Sequence, residues 1–171
     1  PAARVTAQAR HDEGQASSET KRVTLQAVER AQARFDEGQA FVEQKKWDEA
    51  LAAYRAAVEE DPEMSEAWYE IGMAETNKHG GKPCESAYGP FKRSVELDPD
   101  NAHFHCCLGY VVKDVRKDHR RAEEHFRAAI RLDPKYASAH SGLAHNTREV
   151  RARAPPQALI RMDPTYRDYR S

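Results

Sequence analysis

Apolar residues recur along this chain at helical spacing, in paired stretches separated by polar breaks. From about residue 18 a stripe with spacings of three, four and seven predicts a helix, with Ser17 or Ser18 as its N-cap. The stripe consists of Leu25, Val28, Ala31, Phe35 and Val42. After a turn at Lys45-Lys46, a second stripe from Trp47 to Val58 predicts a return helix. The two helices would form an antiparallel hairpin.

Asp-Pro pairs mark the ends of the second helices. Proline has no N–H and biases its predecessor away from helical dihedrals, so helices should end at Asp61-Pro62, Asp98-Pro99 and Asp133-Pro134. In the last part of the chain a fourth pair, Asp163-Pro164, survives, but two prolines within 151–156 interrupt the helix that should lead to it. Elsewhere, the glycines and proline within Thr76–Ser86 predict a loop.

The chain repeats itself around these pairs. Tyr54–Gly72 recurs at Phe91–Gly109 and again at Phe126–Ala144. The first copy has the matching small and aromatic positions Gly38, Phe41, Ala50, Tyr54, Ala57 and Pro62. These positions resemble the tetratricopeptide repeat, a helix–turn–helix unit of 34 residues, with His105 at the usual tryptophan position. The resemblance implies an all-α, right-handed α-solenoid of stacked helix pairs, whose first helices line a concave groove.

The predicted domain organisation is a repeat domain between two tails. Residues 1–17 form a polar N-terminal tail, residues 18–164 the helical repeats, and residues 165–171 a C-terminal tail. The repeats are expected at about 31–64, 65–101, 102–136 and 137–164. Ala7–Arg22 echoes Ala31–Lys46 but lacks its apolar residues, which predicts a loose leader unless a partner holds it.

The recurring small and aromatic residues predict how the units pack. Gly38, Gly72 and Gly109 should face small residues of the second helices and let each helix pair approach closely. Tyr54, Phe91 and Phe126 should then fill the space between one pair and the next. Since one pair cannot cover its own apolar face, neighbours must stack. Asn101 is the expected N-cap of the helix that follows it.

Composition narrows the partners and the compartment. The 27 Lys and Arg residues nearly balance the 28 Asp and Glu residues, giving a net charge of -1 and no field that favours nucleic acid. No apolar run approaches the roughly 20 residues of a membrane helix. Three clustered cysteines favour a reducing, intracellular compartment, either cytoplasm or an organelle interior. The absence of an initial Met leaves a removed targeting peptide open.

The resemblance also implies which residues line the groove. Aromatic and thioether side chains there would suit an extended or helical partner segment, and basic ones at one end would suit an acidic segment. The predicted partner-binding residues are Gln39, Tyr69, Met73, Thr76, His103, Cys106, Tyr110, Lys113, Ser141, His145 and Arg148. Chaperone-binding relatives hold a terminal carboxylate with Lys and Asn. Phe35 and Gln39 occupy the first two of those positions here, so that clamp is predicted to be missing.

Metal and catalytic chemistry find little support in the sequence. His103 and Cys107 share a helix face, but zinc needs about four ligands and no second ligand pair is present. None of the common hydrolase, protease, phosphate-loop or dinucleotide motifs occurs. His79, His119 and His125 are expected at helix ends and loops. We therefore predict no enzyme activity, no cofactor and no metal.

Two functional hypotheses remain. The first is a non-catalytic interaction module that captures a partner segment in the groove. The second is a structural subunit of a large complex, held through its open C-terminal end, convex face and N-terminal tail. The truncated fourth repeat favours the second hypothesis, because no polar helix follows to cover its apolar end.

Overall fold

Helices account for the whole regular structure of the described chain. The computed structural model describes the backbone of residues 2–153 and the side chains of residues 22–153. Its seven helices are α1 (Ala2–Glu43), α2 (Trp47–Glu60), α3 (Ser65–Lys78), α4 (Glu85–Leu97), α5 (Ala102–Asp114), α6 (His119–Leu132) and α7 (Ala137–Arg153). No strand occurs in these residues, and the predicted all-α solenoid is confirmed.

The helices stack in chain order. The main contacts join each helix to the next, and α5 also contacts α7. A linear stack of this kind follows from pairs that each leave one apolar face uncovered. The core divides into two apolar clusters, one around Tyr54 and Ile71 between α1, α2 and α3, and one around Phe91, Leu108 and Phe126 further along.

The first helix differs from its prediction. α1 is continuous from Ala2 to Glu43, so the expected start near residue 18, with Ser17 or Ser18 as N-cap, is wrong. Neither serine is needed as a cap because the helical hydrogen bonds continue through both positions. An ion pair between Arg30 and Glu60 ties α1 to the end of α2 at 2.9 Å. The division of the chain into tails and repeats remains a prediction.

Two turns match the sequence closely, and one loop is shorter than expected. Lys45, at φ 57°, turns the chain into α2, and Asn101 caps α5 by accepting from the backbone amides of His103 and Phe104 at 3.1 and 3.3 Å. The loop predicted over Thr76–Ser86 narrows to residues 79–84, because α3 runs to Lys78 and α4 begins at Glu85. The damaged return helix of the fourth repeat lies outside the described residues.

Each described Asp-Pro pair forms the same turn. The aspartate side chain accepts a hydrogen bond from the backbone amide two residues later, at 3.0 Å for Asp61, 3.3 Å for Asp98 and 2.9 Å for Asp133. This side-chain turn lets the chain leave one helix without an unpaired amide. The aspartate is therefore part of the stop signal, along with the proline.

A ring nitrogen closes each of these turns from the following helix. Trp68 Nε1 donates to the Pro62 carbonyl at 3.0 Å, His105 Nε2 to Pro99 at 3.0 Å, and His140 Nε2 to Pro134 at 2.9 Å. An imidazole can make the hydrogen bond that an indole makes, since both carry a ring N–H. This explains how His105 occupies the tryptophan position.

Gly38, Gly72 and Gly109 each lie against an aromatic ring. The sequence predicted that they would face small residues. A Cβ added at Gly38 would lie 2.5 Å from the Tyr54 ring, at Gly72 2.6 Å from Phe91, and at Gly109 2.8 Å from Phe126. These contacts require a small residue at each of the three positions, and the predicted facing of Ala50, Ala87 and Ala122 stays a prediction. A Cβ added at Gly142, in the next helix pair, would lie 2.4 Å from the Phe126 ring, so that ring does bridge two units.

Candidate partner-binding groove

The first helices of successive pairs, α3, α5 and α7, lie side by side and form one face of the stack, which we call the groove. Tyr69 of α3 and Tyr110 of α5 are half-buried there. The Tyr69 ring stacks on Phe104 at 5.1 Å, and the Tyr110 ring meets Phe126 edge-on at 5.1 Å. The Tyr110 hydroxyl donates to the Ser138 carbonyl at 3.0 Å. Both tyrosines are thus rigidly held while part of each ring stays accessible.

A ladder of three polar rings crosses the N-terminal ends of these helices. Tyr69 Oη lies 2.6 Å from His103 Nε2, and His103 Nδ1 is hydrogen-bonded to Tyr136 Oη. A neutral imidazole has one donor and one acceptor nitrogen, so one tyrosine donates and the other accepts. Burial raises the pKa of Tyr69 well above its usual range and that of Tyr136 to about 12, and it lowers the pKa of His103. The ladder is therefore uncharged at neutral pH.

The two adjacent cysteines lie beneath this ladder. Cys106 is 1% exposed, so its prediction as an exposed groove contact is wrong: it turns inward between α5 and its neighbours. Cys107 is half-buried and packs against the core. Burial raises the pKa of Cys106 to about 11 and that of Cys107 to about 12. Both remain thiols at neutral pH, and a thiol is a poor nucleophile and a poor metal ligand.

The basic end of the groove differs from its prediction. Lys113 is only 2% exposed, so it is not a surface cation. Its ammonium is 2.9 Å from Asp114 Oδ1, 3.1 Å from His145 Nδ1 and 5.9 Å from the Tyr110 ring centre. The neighbouring carboxylate offsets its charge. Arg148 is exposed and carries the remaining positive charge at this end.

The other predicted groove residues occupy accessible or half-accessible places. Gln39, His103, Ser141 and His145 are exposed, whereas Met73 and Thr76 are half-buried. The Thr76 hydroxyl donates to the Gly72 carbonyl at 2.9 Å. Gln39 lies on α1, apart from the cluster on α3 and α5.

A pocket of about 240 Å³ opens between α3 and α5 beside this cluster. Its walls are mostly apolar. The lining includes Met73, Phe91, Cys107 and Tyr110, and the loop after α3 closes one side through Gly81 and Pro83. The polar atoms of the lining side chains belong to Thr76, Asp114, Tyr110 and Cys107.

The hydrogen bonds of Tyr136 and Glu75 could not be predicted from the helical period of the apolar residues. Tyr136, which completes the ladder, lies in the turn between α6 and α7, where no helical repeat marks it. Glu75 is buried and accepts hydrogen bonds from Arg55 and Ser86, both at 2.9 Å, which links three successive helices. The pair Asp133-Pro134 could have indicated that Tyr136 lies directly before the next helix. It could not have indicated the hydrogen bond between Tyr136 and His103.

Of the three histidines expected at helix ends and loops, His79 and His119 lie at helix ends and His125 does not. His125 lies inside α6, half-buried, with Nδ1 3.2 Å from His105 Nδ1. His119 begins α6 and is bonded to Asn146 of α7 at 2.9 Å. His79, directly after α3, is exposed.

The described residues hold no group of three or more His, Cys, Asp or Glu side chains that could bind a metal ion. Within the same part of the chain, no helix has both the length and the apolar character to cross a membrane. The tyrosine ladder and the thiols contain no paired nucleophile and base. The chemistry that this face supports is recognition through rings, sulfur and hydrogen-bond acceptors.

The tetratricopeptide-repeat family model matches residues 35–102. The mouse protein Superkiller complex protein 3 is 31% identical over 107 residues, which is 59% of this chain. The chain spans only 6% of the length of that relative.

Solved structures show the same architecture. The tetratricopeptide domain of Arabidopsis OM64 superposes with a TM-score of 0.64 at 16% identity, over 72% of this chain and 98% of the domain. The first such domain of Spaghetti (RPAP3), bound to an HSP90 peptide, superposes with a TM-score of 0.65 at 17% identity, over 72% and 94%. Identities this low establish the fold alone.

Proposed function

Because the chain is built of tetratricopeptide repeats, we propose that it is a non-catalytic interaction module that binds a segment of a partner protein in its groove. The observation that carries the proposal is the half-exposed row of Tyr69, Met73 and Tyr110, which runs from α3 to α5 and is fixed from below by packing. Rigid aromatic rings beside a thioether are typical of surfaces that bind peptides, because they offer apolar contact at little entropic cost.

Charge and shape support an extended segment. The RPAP3 neighbour holds a short peptide, which shows that this architecture accommodates one. Arg148 gives a free positive charge at the α7 end, while Glu66 and Glu70 lie at the α3 end. A segment whose acidic part lies toward α7 would match this distribution.

The terminal-carboxylate clamp of chaperone-binding relatives is not part of the proposal. Two of its positions hold Phe35 and Gln39, and Phe35 is buried. Cys106, at another of these positions, is also buried. No cation stands at these three positions to receive a terminal carboxylate, so we expect an internal segment as the ligand.

Peptide display tests the proposal directly. Segments selected on the immobilised chain should lose at least about tenfold in affinity when Met73→Lys is introduced, because a charge would enter the apolar row. The matched control is Arg127→Glu on α6, which changes a charge away from the groove and should leave affinity unchanged. Equal binding by Met73→Lys and the unaltered chain would exclude the groove as the binding surface.

A second candidate function is assembly into a larger complex through surfaces outside the groove. Val23, Leu25 and Val28 of α1 are exposed, and they make up three of the four exposed large apolar residues in the described chain. Exposed apolar clusters often mark protein contacts. The name of the mouse relative places that protein in a complex. If Leu25→Glu abolishes partner binding while Met73→Lys does not, the assembly function is favoured.

A further inference from the structure

We propose that the pocket between α3 and α5 binds one aromatic side chain that carries a hydrogen-bond donor, a tryptophan or a tyrosine, from the partner segment. The inference rests on the proposed function, since it names the residue that anchors the segment. It depends on the size of the pocket, the composition of its walls and the hydrogen-bonding state of the polar groups that line it.

The size of the pocket favours a single side chain. Its volume is about 240 Å³. Sites for small-molecule ligands usually measure about 300–1,000 Å³. An apolar cavity of about 150 Å³ is enough to hold benzene. The pocket therefore has room for one aromatic ring system and little more.

The walls favour an aromatic body over an aliphatic one. Met73 and Cys107 present sulfur, and Phe91 and Tyr110 present rings. Thioethers make favourable contacts with aromatic rings at about 5 Å, and rings pair edge to face. An aliphatic chain would gain area burial but not these contacts.

The side-chain polar groups of the lining accept hydrogen bonds. The Thr76 hydroxyl already donates its hydrogen to the Gly72 carbonyl at 2.9 Å, so only its lone pairs remain. Asp114, as a carboxylate, accepts only, and Lys113 occupies one of its oxygens at 2.9 Å. Both leave acceptor capacity directed at no described donor.

The hydrogen-bond donors among the pocket-lining residues already donate to other groups, are weak, or are absent. The Gly81 amide donates to the Thr76 carbonyl at 3.0 Å, and the Tyr110 hydroxyl donates to the Ser138 carbonyl at 3.0 Å. Pro83 has no N–H, and the Cys107 thiol is a weak donor. A ligand that brings only acceptors would leave Thr76 and Asp114 desolvated and unpaired. An indole N–H or a phenol O–H would pair with one of them.

Methyl NMR on the full chain tests this proposal with N-acetyltryptophanamide as the probe. The chain has three methionines, Met64, Met73 and Met162, so methionine methyl signals are few and assignable. The probe should shift the Met73 methyl signal through its ring current and leave the Met64 signal in place. N-methylation of the indole nitrogen should reduce the initial slope of that shift about tenfold, because the hydrogen bond from the indole N–H to Thr76 or Asp114 is lost.

Two further comparisons separate the donor from the ring. N-acetylphenylalaninamide should behave like the N-methylated probe, and N-acetyl-lysinamide, a donor without a ring, should bind more weakly than the tryptophan probe. Thr76→Val should weaken tryptophan binding and leave phenylalanine binding unchanged. Thr147→Val is the matched control, since the Thr147 hydroxyl makes the same bond to Leu143 at 2.9 Å on α7.

An unmoved Met73 signal, equal slopes with and without the indole N–H, or stronger binding of the lysine probe would each overturn the assignment. Failure of the proposed function is distinguishable from these outcomes. If selected segments bind the groove but the Met73 signal does not move, the pocket assignment alone fails. If the tryptophan probe enters the pocket but no segment binds the groove, the proposed function alone fails.

Discussion

The turns between successive helix pairs, at Asp61-Pro62, Asp98-Pro99 and Asp133-Pro134, repeat the same residues, whereas the groove does not. We call these turns the joints. At the three described joints the same two contacts recur, an aspartate turn and a ring nitrogen on a proline carbonyl. Within each of the first three helix pairs, a glycine of the first helix lies against a ring of the second. At equivalent groove positions the side chains differ, as with Met73 in α3, Tyr110 in α5 and His145 in α7. Repetition thus maintains the stack, whereas variation along the groove gives the surface its individual chemistry. Changes at the joints should cost stability, and changes in the groove should cost binding.

The largest stability effect is expected at a glycine facing a ring. Gly72→Ala should lower the free energy of unfolding by about 1–3 kcal/mol, because the new methyl group would lie 2.6 Å from Phe91. Gly89→Ala on α4 is the control, since no residue beyond its chain neighbours lies within 4 Å of its added Cβ, and it should cost less than Gly72→Ala. Denaturant unfolding measures both, and equal effects would contradict the packing described.

The second-largest loss in the free energy of unfolding is expected for a substitution at Asn146. Its side chain is fully buried, donates to the His119 carbonyl at 2.8 Å and accepts from His119 Nδ1 at 2.9 Å. Asn146→Ala should cost about 1–3 kcal/mol because these buried groups lose their partner. Asn77→Ala at the end of α3 should change the unfolding free energy by less than about 0.5 kcal/mol. A similar small effect at Asn146 would show that α7 is held by its apolar contacts alone.

Trp68→Phe tests the ring contact at the first joint. It removes the hydrogen bond to the Pro62 carbonyl and keeps most of the packing, so a loss of about 1 kcal/mol is expected. Trp47→Phe makes a comparable change in volume at the start of α2. If thermal or denaturant unfolding shows the same loss for both variants, the joint hydrogen bond adds no stability.

Acidification should weaken the fold through His103 and His125, whose pKa values are lowered in the folded state. His105 Nε2 donates to the Pro99 carbonyl, so its Nδ1 accepts from His125 Nδ1. Burial, together with the nearby His105, lowers the pKa of His125, and burial lowers that of His103. The folded state therefore binds protons more weakly than the unfolded state. Stability should be complete above the ordinary histidine pKa and be lost as the pH falls through the lowered values.

Unfolding free energies measured between about pH 8 and pH 5 check this dependence. His125→Gln should make the fall shallower, whereas His79→Gln, at an exposed position, should leave the slope as it is. An unchanged slope in His125→Gln would mean that other groups carry the pH dependence.

The smallest stability effect is expected in the groove. Arg148→Ala should change the unfolding free energy by less than about 0.5 kcal/mol, because the side chain is exposed. The same change should weaken binding of a selected acidic segment, and the loss should shrink as salt is added. Parallel unfolding and titration experiments measure the two effects, and a large loss of stability would place Arg148 in the fold instead of the binding surface.

Much of the fold could be predicted because its signals are local and repeated. The Asp-Pro pairs at Pro62, Pro99 and Pro134 each follow the end of a helix, whereas Pro90, without a preceding aspartate, lies inside α4. An apolar stripe of helical period indicates the buried face. The start of α1 could not be predicted, since its first half lacks the apolar stripe that marked the rest. The loop after α3 was predicted too long because helix ends depend on hydrogen bonds that residue type does not specify.

The groove was harder to predict than the fold. The resemblance predicted Tyr69, Met73 and Tyr110 as groove residues, and the structure leaves each of them half-exposed, but the resemblance could not show that Cys106 and Lys113 turn inward. That outcome depends on contacts that helical spacing does not show. Lys113 is paired with Asp114, the next residue of α5, and with His145 of α7, and Cys106 is covered by apolar residues of the core. Tyr136 was missed for the same reason, since its role depends on a contact between two elements.

Amide hydrogen exchange on the chain bound to a display-selected segment tests the central claim most directly. If the segment lies in the groove, exchange should slow in α3, α5 and α7 and stay unchanged in α2, α4 and α6. Protection confined to residues 22–30 of α1, or to α2, α4 and α6, would contradict the account and favour assembly through other surfaces.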